Sequence, residues 1–248
     1  MKAILHETHQ DIGLIRLHSG VTNPIGMDLI QELDHILESR RSTDRGLILS
    51  GGAKFFSIAF HLPELLQLNR EDLGEFYSRF NRTLFKLLTL PIPTLCCLTG
   101  HAVAGGCILS LGCDFRIAAS EKTKIGLNEI SIGVPVPYLA DMLLRQIVGH
   151  RAAEKMMYTG DFISSAQAEA LGLVDETLDR DQLEPRALEK IQRFSSAPLA
   201  AFAKIKSNRL EGIGHRFEQG FAEKCRSFLD IWFTPDTQTL LARAAEKF

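Results

Sequence analysis

Two adjacent glycines, Gly105 and Gly106, lie between an apolar run typical of a β-strand and a segment of small residues typical of a helix. The strand-like run spans residues 93–99. Glycine has no Cβ, so the backbone at the start of the helix can approach another group closely. The free N–H groups there suit an oxygen that becomes negative during a reaction. The pair therefore predicts a strand–turn–helix unit with a candidate oxyanion site, although close strand–helix packing alone would also require glycine.

Segments typical of strands and helices alternate through the first half of the chain. Residues 46–50 are a short apolar run closed by a Gly-Gly turn, as expected of a buried strand. In residues 27–37, apolar side chains recur every three or four positions, as expected of a helix. This alternation is typical of an α/β fold. The sequence predicts strands at residues 12–17, 46–50, 93–99 and 115–119, and helices at residues 27–37, at 72–88 and from 105.

The chain after Val134 carries no strong strand signal and is predicted to be helical. Residues 194–198, Phe-Ser-Ser-Ala-Pro, are predicted to be a linker. We therefore expect a core of residues 1–195 and a helical C-terminal region of residues 196–248. The helices predicted after Val134 span residues 139–148, 151–158, 165–171, 181–194, 198–210, 216–228 and 236–247.

Composition restricts the class of partner. The chain has 248 residues, of which 45% are hydrophobic, and a formal net charge of −2. It is long enough to bury a sizeable core, and its charge gives no basis for binding nucleic acid or an anionic membrane. The first residues lack the apolar run of a signal peptide, and no segment approaches the ~20 apolar residues of a membrane span. We expect a cytoplasmic protein that acts on a small molecule.

Several segments together resemble one known family, the crotonase (enoyl-CoA hydratase/isomerase) superfamily, over essentially the whole chain. The order and spacing of the matching segments make a chance resemblance improbable. They include Phe-Ser-Ile-Ala-Phe-His-Leu at residues 56–62, Ala-Val-Ala-Gly-Gly at 102–106, Ile-Gly-Leu-Asn-Glu at 125–129 and Ala-Glu-Ala-Leu-Gly-Leu-Val-Asp at 168–175.

The resemblance implies a crotonase-like spiral of ββα units followed by a C-terminal helical trimerisation region. It also implies a homotrimer or a dimer of trimers, and an acyl-CoA substrate. Coenzyme A then enters as part of that substrate, and no metal or separate cofactor is expected. The helices after residue 198 carry more apolar surface than an exposed appendage should, and we expect them to pack partly on their own core and partly on neighbouring copies.

The resemblance assigns an oxyanion hole and a base. The two N–H donors fall on Phe60 and Gly105, and they would stabilise the enolate of a thioester. The family's hydratases use two glutamates, and the position of the first is occupied here by Ile108. The second falls on Glu129, in the Ile-Gly-Leu-Asn-Glu context of the mitochondrial-type Δ3,Δ2-enoyl-CoA isomerases. The chain therefore looks like an isomerase of that type.

Further residues are implied to contact the substrate or its coenzyme A part. The chain departs from the family pattern at Ile58-Ala59, where Ala-Gly is usual, and at His61, where Asp is usual. Loss of that glycine narrows the backbone choices beside the donor of Phe60. The implied contact residues are Phe56, Ser57, Ala59, Leu62, Ile108 and Lys204.

Chemistry supports the choice of reaction independently of the resemblance. Hydration needs an acid and a base to activate water, whereas one carboxylate on one face can carry out a 1,3-proton shift. Apolar neighbours such as Leu127 and Ile130 are expected to raise the pKa of Glu129, which makes it a better base.

Three alternatives stay open at this stage. The protein could be another crotonase-type enzyme, such as a hydratase. It could be a thioester hydrolase or decarboxylase that uses His61 or Glu64. It could also be a non-catalytic subunit that binds acyl-CoA. Dependence of turnover on Glu129 alone distinguishes the isomerase.

Overall fold

The computed structural model describes residues 2–40, 43–120 and 122–246 of the chain. The strands are β1 (Ile4–His9), β2 (Ile12–Leu17), β3 (Gly46–Ser50), β4 (Phe55–Ser57), β5 (Thr94–Leu98), β6 (His101–Val103), β7 (Phe115–Ala119), β8 (Lys124–Gly126), β9 (Ile163–Ser164) and β10 (Glu176–Leu178). The α-helices are α1 (Met27–Ser39), α2 (Leu62–Leu65), α3 (Arg70–Thr89), α4 (Gly105–Leu111), α5 (Tyr138–Val148), α6 (His150–Thr159), α7 (Ser165–Ala170), α8 (Arg180–Ser195), α9 (Leu199–Trp232) and α10 (Pro235–Ala245). A 3-10 helix spans Glu129–Ile132.

The strands form two sheets through which the chain passes alternately. The six-stranded sheet has the order β1-β2-β3-β5-β7-β10 and the four-stranded sheet has the order β4-β6-β8-β9. In three successive units, β3-β4, β5-β6 and β7-β8, the first strand joins the larger sheet and the second joins the smaller, and helical structure follows. Because β4, β6 and β8 are parallel neighbours, the loops that follow them meet at one edge.

The hydrophobic core has two parts. The larger part fills the space among both sheets and helices α1, α3, α4, α5 and α9, and includes Phe56, Phe80 and Phe217, each at most 1% exposed. The smaller part lies between the six-stranded sheet and α8, and includes Ile48 and Ile191. The second face of that sheet is therefore covered, which explains why β3 and β5 are buried at every position.

All four predicted strands and the helices of the first half are found, but six further strands were not predicted. β4, β6 and β8 lie in segments interpreted as loops, and β9 and β10 lie in the region after Val134 where no strand was expected. Each of these five strands has only two or three residues, which is too few to show the alternation of apolar and polar residues that is typical of a strand. β1 was also missed, because five of its six residues are exposed at the sheet edge.

The prediction of separate helices at residues 198–210 and 216–228 was wrong, because one 34-residue helix, α9, spans both. Gly212 and Gly214 lie between the two predicted helices and are part of α9. Glycine inside a helix costs only about 1 kcal/mol relative to alanine, and burial of the neighbouring apolar side chains offsets this cost. Those buried side chains are Leu210, Ile213, Phe217, Phe221, Phe228 and Trp232.

The C-terminal region packs partly on its own core, as expected, while Ile205 on α9 is 70% exposed. α10 ends at Ala245, and Lys247, the end of the predicted last helix, lies outside the described residues. Among the described residues, no helix is long and apolar enough to cross a membrane.

Candidate active site

A small cavity lies where the loops after β4, β6 and β8 meet, and we call it the reaction cavity. It brings together the predicted base, Glu129, and the two residues predicted to supply N–H donors, Phe60 and Gly105. Its volume is about 20 Å³, which is room for about one water molecule, since a water needs roughly 10–15 Å³. A thioester is larger, so its binding requires wall side chains to move. The remaining lining residues are Ala59, Leu62, Ala104, Ile132, Val134, Pro135, Pro137, Phe228 and Trp232.

The loop of residues 58–61, which we call the oxyanion loop, holds Phe60 by its backbone and by its ring. A parallel bridge pairs Ile25 with Phe60, in which the Ile25 N–H donates to the Ala59 carbonyl (2.9 Å) and the His61 N–H donates to the Ile25 carbonyl (3.0 Å). This pattern leaves the Phe60 N–H on the side of the loop away from Ile25. The Phe60 ring packs edge-on against Phe76 and Phe80 of α3, with centroid separations of 5.1 and 4.8 Å.

The two glycines of the pair serve different purposes. Gly105 is the first residue of α4 and lines the reaction cavity, and a Cβ there would lie 3.1 Å from the Phe60 ring. Its N–H is one of the helix N-terminal donors that have no acceptor within the helix. A Cβ on Gly106 would lie 2.2 Å from the Ser57 carbonyl oxygen. Gly106 is therefore required for close backbone packing, whereas Gly105 lines the reaction cavity.

Alanines in unusual backbone conformations precede both predicted donors. Ala59 has a φ of 115° and Ala104 has a φ of 47°. Residues with a Cβ rarely adopt such values, and a backbone held in this way costs of order 1–3 kcal/mol. The departure at Ala59 therefore does not prevent the positive φ that a glycine would adopt easily. The surrounding contacts hold the strained conformation.

Glu129 begins the 3-10 helix after β8 and is only 5% exposed. Its Oε2 is buried and has no hydrogen-bond partner among the described residues. Burial raises the pKa of its carboxyl group from its usual 4.5 to about 7. Leu127 is fully buried nearby, as expected, but Ile130 points outward and is 54% exposed. Residues from other elements, such as Trp232, supply the remaining apolar wall.

Of the other residues that were predicted to contact substrate, some line the reaction cavity and the rest lie outside it. Ala59 and Leu62 line the reaction cavity, whereas Phe56, Ser57 and Ile108 are buried in the core outside it. The structure does not bring Lys204 to the cavity. Lys204 lines a different depression near the start of α9, roughly 36 Å along the helix from Phe228 at about 1.5 Å per residue.

His61 and Glu64 are paired with each other outside the reaction cavity. The His61 Nδ1 lies 2.9 Å from the Glu64 Oε2, and both side chains are more than one-third exposed. The Glu64 Oε1 accepts a hydrogen bond from the Met27 N–H at the start of α1 (3.0 Å). A carboxylate at a helix N-terminus stabilises the helix dipole. These contacts give Glu64 a structural role as a cap for α1.

A second, larger cavity adjoins the first. It has a volume of about 420 Å³ and shares Val134, Pro135 and Phe228 with the reaction cavity. Tyr77, which stacks on Phe228 at a centroid distance of 3.8 Å, and Met157 contribute to its apolar wall. Charges of both signs lie at this cavity, including the ion pair of Asp141 and Arg145, together with Glu154 and Lys224.

One residue beside the site was not found by sequence reasoning. Asn23 is 1% exposed, has a φ of 46° and donates hydrogen bonds to the Phe55 and Phe56 carbonyls. The Asn-Pro dipeptide at residues 23–24 is a turn signal that could have drawn attention to it. The signal says nothing of which strand the asparagine would meet.

Comparison with known proteins identifies relatives of this arrangement. A family model described as enoyl-CoA hydratase/isomerase matches residues 7–247. The mitochondrial enoyl-CoA delta isomerase 1 of Mus musculus is 29% identical over an alignment of 203 positions that covers 79% of this chain and 70% of that protein. A probable enoyl-CoA hydratase of Rhizobium meliloti (strain 1021) is 31% identical over an alignment of 255 positions that covers 99% of this chain and 96% of that protein. Overall identity therefore does not choose between the two reactions.

The fold is that of a solved isomerase structure. The human mitochondrial delta3-delta2-enoyl-CoA isomerase superposes with a TM-score of 0.95, covering 99% of this chain and 97% of that one at 24% identity. The α/β spiral and its C-terminal helices therefore match crotonase structures over their full length.

Proposed function

This chain belongs to the enoyl-CoA hydratase/isomerase family, and we propose that it is a Δ3,Δ2-enoyl-CoA isomerase acting in fatty-acid or related acyl-CoA metabolism. The observation that carries the proposal is the reaction cavity itself. Among the described residues that line it, Glu129 is the only one with an ionisable side chain. A cavity with one carboxylate fits a reaction in which one group removes and returns the same proton.

The proposed reaction is a 1,3-proton shift through an enolate. Glu129 removes a proton from C2 of a 3-enoyl-CoA, and the electrons of that C–H bond delocalise onto the thioester oxygen. The N–H groups of Phe60 and Gly105 donate to this oxygen, which is stabilised most when its charge is greatest. The protonated Glu129 then returns the proton to C4. The double bond moves from C3–C4 to C2–C3, and atoms and charge balance without a cofactor.

Conversion of 3-hexenoyl-CoA into 2-hexenoyl-CoA by the purified protein tests the proposal. We expect catalytic turnover with this substrate, followed by the ultraviolet absorbance of the conjugated 2-enoyl thioester. We expect no hydrolysis of a saturated acyl-CoA, followed by mass spectrometry. Release of free coenzyme A would favour the hydrolase alternative. Binding of these esters without any turnover would favour a non-catalytic subunit.

The raised pKa of Glu129 predicts the pH dependence of the reaction. Only the carboxylate can act as the base, so we expect kcat/KM to rise with pH and to level off above about 7. Burial raises the pKa of the Tyr77 hydroxyl well above its usual value and that of the Cys107 thiol to about 12, so both stay protonated and neutral near pH 7. A profile that is flat between roughly pH 5 and pH 9 would contradict a titrating base with this pKa.

The second cavity is the proposed place for the acyl chain beyond the reacting carbons. The reaction cavity is too small for a chain, whereas the adjoining cavity of about 420 Å³ shares three wall residues with it. Apolar and aromatic walls such as those of Tyr77, Met157 and Phe228 suit an alkyl chain. An acyl chain reaches this cavity when the shared side chains of Val134 and Phe228 move apart.

Filling the second cavity is expected to change chain-length preference. Met157 lines the second cavity but not the reaction cavity. We expect Met157→Trp to lower kcat/KM for 3-dodecenoyl-CoA about 10-fold or more relative to 3-hexenoyl-CoA, because lost apolar contacts discriminate by that order. Ile205→Trp, at a residue that is 70% exposed on α9, serves as the control. An unchanged ratio in Met157→Trp would place the chain elsewhere.

His61 and Glu64, the candidate groups for thioester hydrolysis or decarboxylation, lie outside the reaction cavity. The Glu64 carboxylate is occupied by His61 and the α1 N-terminus, and neither residue lines the reaction cavity. Assembly as a homotrimer or a dimer of trimers stays a prediction, as do coenzyme contacts of Lys204. If Lys204 does bind coenzyme A, its distance from the cavity requires the substrate to belong to a neighbouring copy.

A further inference from the structure

Residues 22–27, which we call the clamp segment, run beside β4 and the oxyanion loop and are bonded to them along their length. The Ile58 N–H donates to the Thr22 carbonyl (3.2 Å). The Ser57 hydroxyl donates to the Asn23 carbonyl (2.7 Å). The bridge of Ile25 with the oxyanion loop continues the pairing. The clamp segment thus fixes the backbone from which the predicted donor of Phe60 projects.

Asn23 joins the clamp segment to β4 through its side chain. Its amide nitrogen donates to the Phe55 carbonyl (3.3 Å) and to the Phe56 carbonyl (3.1 Å), and its amide oxygen accepts from the Ser19 N–H (2.9 Å). An asparagine amide has two N–H donors, and both have acceptors here. Both of its N–H donors and its oxygen thus bond backbone groups, and the residue is 1% exposed.

The backbone of Asn23 explains why another residue would serve poorly. Its φ of 46° lies in the left-handed region, which asparagine tolerates better than most residues with a Cβ. Glycine would tolerate the conformation but would lack the amide. Only a small set of side chains can combine this backbone with two donated hydrogen bonds.

We propose that Asn23 is a positioning residue for the oxyanion hole, an inference that rests on the proposed function. Ala59, directly before Phe60, is held at a φ of 115°. Such a conformation persists only when its surroundings impose it. The amide of Asn23 fixes β4 relative to the clamp segment, and the clamp segment holds the Ala59 carbonyl. Without that amide, Ala59 relaxes and the Phe60 N–H turns from the thioester oxygen.

Asn23→Gly removes the amide and keeps the backbone conformation accessible. We expect kcat for 3-hexenoyl-CoA to fall ~10–100-fold, since small misplacements of catalytic groups have effects of this order. KM should change by less than about threefold, because the donors matter most when charge develops in the transition state. Asn23→Asp is the second variant if the glycine variant does not fold, because it keeps the acceptor for the Ser19 N–H and loses the amide donors.

Two control variants separate positioning from general loss of stability. Gln10→Gly makes the same kind of change at another residue of positive φ, 59°, in the turn between β1 and β2. Thr94→Ala removes a fully buried hydroxyl that bonds Asp114 at the start of β5. Both are expected to keep the wild-type kcat when corrected for the folded fraction.

The carbonyl stretch of bound hexanoyl-CoA, labelled with carbon-13 at the thioester, gives a readout that does not need turnover. Hydrogen bonds from the oxyanion hole polarise the carbonyl and lower its frequency. We expect the wild type and both controls to show the full shift, and Asn23→Gly to lose about half of it or more. A merely structural role of Asn23 would leave the shift of the folded variant unchanged.

Each outcome decides something. A full shift together with wild-type kcat in Asn23→Gly would overturn the proposal, and so would a lower kcat with an unchanged shift. If the wild type shows the shift but does not isomerise, the proposed reaction fails while the shift still tests Asn23. If the wild type shows no shift, the oxyanion hole is wrong and the positioning role fails with it.

Discussion

Glu129→Gln is expected to lower isomerisation of 3-hexenoyl-CoA by ~10²–10⁴-fold, the usual contribution of general acid–base transfer. Glutamine preserves the shape of the side chain but cannot remove the C2 proton or return it to C4. Affinity for the ester should persist, because the donors of Phe60 and Gly105 are untouched. Turnover measured by the ultraviolet absorbance of the conjugated 2-enoyl product, with binding of hexanoyl-CoA measured in parallel, separates the two effects.

Stability provides the control for this variant. Burial raises the pKa of Glu129 from 4.5 to about 7, so the unfolded chain releases this proton more readily than the folded one. The free energy of unfolding therefore falls as pH rises through that range, by about 3 kcal/mol in total. An uncharged glutamine avoids this loss, so Glu129→Gln should be no less stable than wild type at pH 8. Wild-type turnover in Glu129→Gln would rule out the one-carboxylate mechanism.

The wild type is expected to hydrate 2-hexenoyl-CoA ~10²–10⁴-fold more slowly than it isomerises 3-hexenoyl-CoA, because hydration lacks one of its two acid–base groups here. Ile108, which the resemblance places at the position of the first hydratase glutamate, is 1% exposed in the core. Among the described residues, no second ionisable side chain lines the reaction cavity. The two esters have equal chain length, so the comparison isolates the chemistry from binding of the chain.

The hydration product is identified by the added mass of one water. Heat-inactivated protein provides the background rate of hydration for the same ester. Comparable rates of hydration and isomerisation would make the protein a hydratase despite Ile108. In that case Glu129 alone would have to orient and activate the water, contrary to the proposed division between the two reactions.

Local sequence patterns were sufficient for the four predicted strands, for helices α1, α3 and α4, and for several residues that line the reaction cavity. Residues 46–50 form the predicted strand, which was recognised from a short apolar run of neighbouring residues. Helix α1 was recognised from apolar residues that recur every three or four positions. Glu129 and Gly105 were recognised from short motifs, and the reaction cavity does contain both. The catalytic roles stay predictions, since proximity alone does not show chemistry.

The strands β4, β6 and β8 could not be predicted from local sequence, because three residues are too few to show an alternation of apolar and polar side chains. Their pairing in the four-stranded sheet is decided by contacts between distant parts of the chain. The continuity of α9 across Gly212 could not be predicted from local sequence either, because packing of the helix against the core outweighs the low helix propensity of glycine.

What the sequence by itself determined is the α/β class, the family and the types of chemical group available, since these depend on residue identity and short-range order. Only the tertiary structure decided that Gly106 serves packing, that Lys204 lies far from Glu129, and that Asn23 holds the backbone before the oxyanion loop. It also decided that burial raises the pKa of Glu129. These properties depend on distances between residues remote in sequence, and such distances exist only once the chain has folded.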